Sequence, residues 1–350
     1  MAIGDTALLG GLSYVAIGRE TTSGEYNTCT AGMDVLSFGL VTTQENKILE
    51  QIETSRTYSK RIQQTKNVAG PASFYFLPCS PACNYILHNA MIGTVTSATA
   101  TGETVGGGAF EHTVAIGDVE QSFPSLCINV RKGPATTGQV FEYDGVKVND
   151  ISFAANIDEP LQVDVNFVGL DSTKTSNDVS SALTVTCADP LSFESGRVSV
   201  EGSFASLTSS SYWHVQSVEW GWNNNLKTDA AAGRIGSAVK ELLPLGIAQF
   251  NMKATIRFNT TAAFDAMIDA SQLSMQLEFQ GRNTISGSVA RPGIKFNFPK
   301  VYISNAGDPV INGPNEVLTS DVEFHVLRDC SSATGYAMQA IVTNTTSSYA

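Results

Sequence analysis

Ala248-Gln249-Phe250-Asn251-Met252-Lys253-Ala254-Thr255-Ile256-Arg257-Phe258 decides the fold. Apolar side chains fall on every second position, with Gln, Asn, Lys, Thr and Arg between them. That period of two belongs to a long β-strand with one dry and one wet face. Working outward, the strand spans Gly246 to Phe258, and Thr260-Thr261-Ala262 then opens a short helix through Phe264, Met267 and Ile268. A strand at Ser274–Phe279, a hairpin from Ile294 to Ile303 and a closing Asp321-Val322-Glu323-Phe324 follow. The same five features occur in the same order roughly 150 to 180 residues earlier, the mark of an internal repeat. Phe74-Tyr75-Phe76 ends a strand, Ser80-Pro81-Ala82 opens a helix to about Met91, and Ser125–Val130 is a strand. The hairpin from Phe141 to Phe153 and Asp164-Val165-Asn166-Phe167 complete the first copy.

Alternation recurs at Leu161, Val163, Val165 and Phe167, at Val218, Trp220 and Trp222, and at Val322, Phe324 and Val326. In Val146–Phe153 it slips by one at Asn149-Asp150, where a β-bulge restores both apolar pairs to one face. Ser80 with Pro81, and Thr261, suit helix N-termini. Helices this short need a sheet beneath them, so each is expected to lie across its own. The chain therefore reads as mainly β: two tandem β-sandwich domains, 1–170 and 183–350, each with one short flanking helix. The polar, Ser/Thr-rich stretch from Asp171 to Ser180 makes 171–182 the linker. Tyr336–Thr343 reads as a closing strand, and Asn344–Ala350 as a frayed tail.

The 350 residues are 42% hydrophobic, enough for a core in each half. Only 15% are charged, so much of the surface is expected to be covered by partners. A net charge of −12 disfavours gripping a phosphate backbone, yet it suits a passage through which nucleic acid slides without sticking. No apolar run is long enough to span a bilayer, and the opening Met1-Ala2-Ile3-Gly4-Asp5 lacks the pattern of a secretory signal. Six irregularly spaced cysteines do not form a disulfide framework and are expected to be reduced and mostly buried.

Several stretches carry residues of chemical sites without the full pattern. Cys79, Cys83 and His88 lie near one helix start but have no second ligand group at zinc spacing. His112, His214 and His325 stand apart in sequence from any nucleophile. Gly102–Gly108 lacks the Lys-Ser/Thr and the strand–helix context of a phosphate loop. Asp158-Glu159 precedes Pro160 in a loop, which does not oppose two carboxylates as glycoside hydrolysis requires. Trp220 and Trp222 share a strand face, where core packing outweighs a sugar platform; Trp213 is close in sequence. The sequons Asn259-Thr260-Thr261 and Asn344-Thr345-Thr346 matter only in a secreted chain. No catalytic, cofactor-binding or metal site is expected.

Each copy also carries a long polar excursion, Glu45–Lys66 and Lys227–Glu241. Lys47, Arg56, Lys60, Arg61 and Lys66 lie in the first, and Lys227, Arg234 and Lys240 in the second, together eight of the chain's 21 basic residues. Loops of this length are commonly functional, and these read as arms that dock on an acidic neighbouring copy.

Three stretches carry a family likeness: Gly11–Gly24, Tyr143-Asp144-Gly145-Val146-Lys147-Val148-Asn149-Asp150-Ile151-Ser152-Phe153, and Val218 to Leu226 with its Asn223-Asn224-Asn225 end. Through them the chain resembles the major tail tube proteins of long-tailed, siphovirus-type bacteriophages, in their two-tube-domain form. The resemblance covers roughly Gly11 to Thr343; Cys79/Cys83 and Gly102–Gly108 depart from it. It implies sandwiches whose sheets join into a ring-shaped barrel, rings stacking into a tail tube, and genome ejection through the tube. Tandem domains imply homotrimeric rings, with hexameric rings as the fallback. Expected partners are further copies of the chain, a tape measure protein and double-stranded DNA in the channel without sequence-specific binding. Tail terminator and distal tail proteins are expected at the ends, with no membrane insertion. The location implied is the virion tail, assembled in the host bacterial cytoplasm. On this reading the arms reach an acidic acceptor formed by Glu142, Asp144, Asp150, Asp158, Glu159 and Asp164. The competing class is a receptor-binding or capsid-decorating viral β-sandwich; a hydrolase would need the opposed carboxylates the sequence lacks.

Overall fold

The computed structural model describes residues 10–51, 57–102, 108–117, 125–184, 189–207, 212–229, 232–258, 261–307, 317–330 and 335–349. Its first series of strands is β1 (Tyr14–Arg19), β2 (Ala31–Met33), β3 (Ser37–Phe38), β4 (Val41–Thr43), β5 (Asn46–Ile48), β6 (Arg61–Gln63) and β7 (Asn67–Tyr75). Helix α1 (Pro81–Met91) follows, then β8 (Thr96–Thr99), β9 (Phe110–Ala115), β10 (Leu126–Lys132), β11 (Gln139–Asn156), β12 (Gln162–Gly169) and β13 (Asp171–Thr175). The second series runs β14 (Gly196–Glu201), β15 (Val215–Asn223), β16 (Gln249–Arg257), α2 (Ala262–Ile268), β17 (Leu273–Gln280), β18 (Gly293–Ala306), β19 (Thr319–Val326) and β20 (Gln339–Asn344).

The two series pair in the same way, always antiparallel. β1–β10–β11–β12–β7 is matched by β14–β17–β18–β19–β16, with β13 beside β11 as β20 is beside β18. β3 and β4 lie end to end on β7, in the place that β15 takes on β16. Even the irregularities coincide. Register slips between Leu126 and Ile128 and again between Leu273 and Met275. It slips between Val148 and Asp150, at the predicted bulge, and again between Ile303 and Asn305.

β11 and β18 are single long strands where the sequence suggests hairpins. Asp144-Gly145 has turn composition, but Gly145 takes φ 61° inside a continuous strand. The Leu170 side chain fills the space where a Cβ would stand, 2.4 Å away, so only glycine fits. The kink lets β11 change sheets along its length. Its first part lies between β10 and β13, and its second between β12 and β15.

Two kinds of sheet result. The inner one is continuous across both series, in the order β3/β4–β7–β12–β11–β15–β16–β19–β18. The outer ones are β2–β1–β10–β11–β13 and β14–β17–β18–β20–β9–β8. One hydrophobic cluster, including Ile17, Phe74, Phe153, Trp220, Phe296 and Phe324, fills the space between them. α1 lies against β11, β1, β2, β10 and β9, and α2 against β18. Neither Ser80 nor Thr261 caps through its side chain; Thr261 donates instead to Asp265 Oδ2 at 2.8 Å.

Two further expectations are corrected. Asp171–Thr175, read as linker, is an edge strand; its polar composition reflects exposure beside β11. The described part of the tail, through Tyr349, is not frayed. Asn344 is fully buried and Tyr349 is 4% exposed, with the tail lying against first-series residues. Asn344 Nδ2 donates to the Pro78 carbonyl at 3.0 Å and to Tyr349 Oη at 2.9 Å.

Candidate assembly surface

On the inner sheet, alternation sends Phe74, Val165, Phe153, Trp220, Ala254 and Val322 into the core. The residues between them, Ser73, Asp164, Ser152, Glu219, Lys253 and Glu323, face away from it. That wet face is cross-linked from strand to strand. Glu219 pairs with Lys253 at 2.9 Å and holds the ammonium's pKa above its ordinary value. Thr255 donates to Asp321 Oδ1 at 2.7 Å, Asn166 donates to Asp150 Oδ1 at 2.7 Å, and Ser73 bonds Asp164. Along the paired residues of this face Asp150, Asp164, Glu219, Asp321 and Glu323 outnumber Lys147, Lys253 and Arg257. A wall of this sign repels phosphate rather than holding it.

Both basic excursions leave the same end of the inner sheet, where β4 runs out and β7 begins, and where β15 runs out and β16 begins. The first is a hairpin: β5 and β6 pair with each other alone, setting Lys47 opposite Ile62 and Ile48 opposite Arg61. Lys47, Lys60 and Arg61 are exposed on it beside Ile48, Tyr58 and Ile62. Arg56 lies outside the described residues. Lys66, at the root, pairs with Asp171 at 2.8 Å, and its N–H donates to the Ala238 carbonyl of the second excursion. There Lys240 is buried, its ammonium donating to Asn67 Oδ1 at 2.7 Å and its pKa lowered by desolvation. Arg234 pairs with Glu241 at 2.7 Å, and Lys227 is exposed. With Lys60, whose ammonium donates to Gln51 Oε1 at 3.5 Å, four of the eight basic residues have partners within the chain.

The six acidic residues do not form one surface. Asp150 and Asp164 belong to the wet face. Glu142 accepts from Asn177 at 2.7 Å in the outer sheet, and Asp144 beside it is pushed up to about 6 by burial and by Glu20, Glu142 and Asp171. Asp158 (φ 67°) and Glu159 occupy the exposed turn from β11 to β12, at the end of the inner sheet opposite the arms.

Trp220 and Trp222 are core residues. Trp220 stacks on Phe153 (centroids 5.1 Å apart, 8° between planes), and Trp222 Nε1 donates to the Ala90 carbonyl at 2.9 Å. Gly102 has φ 87° and 103–107 lie outside the described residues; Ala100 and Ala109 of this β8–β9 hairpin pack on Ile285. Cys83 is buried, its thiol pushed up to about 11 by desolvation. Among the described residues no group of three His, Cys, Asp or Glu side chains could hold a metal ion.

One cluster is invisible in the sequence. His88 and His112 meet around Tyr349, with ring centroids 5.2 and 4.6 Å from it. His112 Nε2 lies 2.8 Å from the Thr346 carbonyl, and Arg19 bonds the Tyr349 carbonyl. Contact between residues so far apart in the chain has no local signal. This is a structural knot that fastens the last residues to the first series.

A sheet with a wet acidic face, arms at one end and, among the described residues, both edges unpaired defines a wall-forming structural subunit as a class. A family model described as phage tail tube protein matches residues 10–326, and the chain belongs to that family. It is accordingly a structural component of the virion tail that assembles with itself into a tube. None of the curated proteins matches the chain. No described helix is long and apolar enough to cross a membrane.

Proposed function

We infer that three copies of this chain close into a ring, that rings stack into the tail tube of a siphovirus-type phage, and that the genome leaves through the lumen. The observation that carries this reading is the inner sheet, in which one four-strand set occurs twice, side by side, within one chain. On this reading 1–170 and 183–350 are two tube domains, with β13 completing the first and the connection reduced to 176–182. Three chains supply about 24 tilted strands, a barrel on the order of 45 Å across the backbone. After about 10 Å for side chains, the opening still admits a DNA duplex. The wet face of the inner sheet lines that channel, because the other face is covered by the core. Its carboxylates keep DNA and the tape measure protein from adhering during ejection.

Stacking uses the two ends of the sheet. Lys47, Lys60, Arg61 and Lys227 leave one end, and Asp158 and Glu159 sit at the other, so translation along the tube axis brings them together between rings. Exposed ion pairs contribute about 0–1 kcal/mol each, so many act together, helped by exposed Ile48 and Ile62. Tail terminator and distal tail proteins meet the exposed ring ends, and assembly takes place in the host cytoplasm. Electron microscopy of the purified chain tests the reading. Stacked rings with three-fold symmetry and a sixfold-like wall are expected; compact oligomers that never stack would favour a decorating protein instead.

A further inference from the structure

The chain contains one finished joint between its two series and, at its two outer edges, the separated halves of another. In the finished joint β11 pairs with β15, setting Asp150 opposite Asn223, Ile151 opposite Trp222 and Phe153 opposite Trp220. The Asn224 N–H donates to the Asn149 carbonyl at 2.6 Å. Among the described residues, the unpaired edges are the outer side of β4 and the last residues of β18.

Those edges stand in the same registers as the partners in the finished joint. Val41 and Thr43 sit opposite Ala69 and Asn67, as Gly221 and Asn223 sit opposite Asn251 and Gln249. Asn305 and Ala306 face Glu323 and Val322 just past a bulge, as Asp150 and Ile151 face Asn166 and Val165 just past theirs. We propose that the β18 edge of one copy pairs antiparallel with β4 of a second copy of this chain. Asn305 then lies opposite Thr43 and Ala306 opposite Thr42, and the Gln44 N–H donates to the Ser304 carbonyl. The proposal rests on the tube reading and adds the strands and register by which neighbours join.

Independent observations point the same way. Val41, Thr42, Thr43, Ser304 and Asn305 are exposed, and an unpaired edge is an association hazard unless something covers it. The Ala306 N–H meets Met267 Sδ at 3.2 Å, a weak acceptor that the Thr42 carbonyl would displace. Helix α1 buries Ile86 and Leu87 (0% and 1% exposed), and Trp222 and Asn224 reach across the finished joint to its Ala90 carbonyl. At the matching place α2 leaves Ile268 65% exposed, lacking such cover. The two edges are different surfaces, so the contact is head-to-tail and closes only through a ring.

Disulfide trapping tests the register. In a Cys187→Ser, Cys330→Ser background, Thr43→Cys and Asn305→Cys are made separately and together, and folding is checked by circular dichroism. Opposed Cα atoms in such a pair lie about 4.5–5.5 Å apart, within disulfide range. An oxidised equal mixture of the two single variants is expected to give covalent dimers, either alone none, and the double variant a closed trimer. Tubes in the microscope without a 43–305 cross-link, or with linkage of Val41→Cys to Asn305→Cys in its place, would overturn the joint and leave the tube reading standing. Cross-linked rings that never stack would retain the joint and sink the tube. Monomers without cross-link at any concentration would overturn both.

Discussion

His88 is 4% exposed and its pKa is lowered to about 3, chiefly by desolvation, with Arg19 and His112 adding to the effect. The unfolded chain therefore takes up this proton first as pH falls. The associated stability is complete above about pH 6.5 and is lost toward pH 3, at about 1.4 kcal/mol per unit. Asp144 works the other way: raised to about 6, its contribution is present below about pH 4 and is lost as pH rises through 6. His88→Phe is expected to lessen the fall in melting temperature on acidification, read by thermal denaturation across the pH range. Trp220 stacks on Phe153 across the joint between the two series and on Phe279 within the second. Trp220→Ala is expected to cost about 3–5 kcal/mol in denaturant unfolding. The alternation at Val218, Trp220 and Trp222 was enough to place both rings on one core face. The histidine knot was not legible, because it exists only once the last residues fold back over the first series.

The bulge at Asn149-Asp150 was readable because a slip in a period-two pattern has one economical cure. Asp144-Gly145 misled for an equally local reason: turn composition records a backbone geometry and not whether the chain reverses there. What keeps β11 straight is its pairing on both sides, with residues far off in sequence. Asp171–Thr175 looked like linker because an edge strand needs few apolar residues. The arms were legible as basic excursions, but the partners of Lys66, Arg234 and Lys240 were not. Reversing Lys47, Lys60 and Arg61 together to Glu is expected to leave circular dichroism and ring formation unchanged while abolishing tubes in electron micrographs. Tube formation by that variant would remove the hairpin from the stacking contact. Wild-type tubes are also expected to shorten as salt rises, whereas lateral contacts persist, since Val41–Gln44 and Ser304–Gly307 carry no charge.

At the scale of the molecule, the repeat and the mainly β character were open to sequence reading, since both rest on local periodicity and order. The degree to which the series interlock was not. β11 pairs with β15, β9 with β20, and Tyr349 sits among His88, His112 and Tyr85. The chain is therefore expected to unfold in one transition, with calorimetric and van't Hoff enthalpies in agreement. Two separated transitions would show that the series are energetically independent. Residue 343 as a new C-terminus would remove the knot, and the melting temperature is expected to fall. The finished β11–β15 joint has a mechanical corollary. Peptide bonds back that seam in every chain, while the seams between chains have only hydrogen bonds and packing. A cylinder of three such staves, loaded from within, would split along alternate seams and come apart as whole subunits, none of them torn.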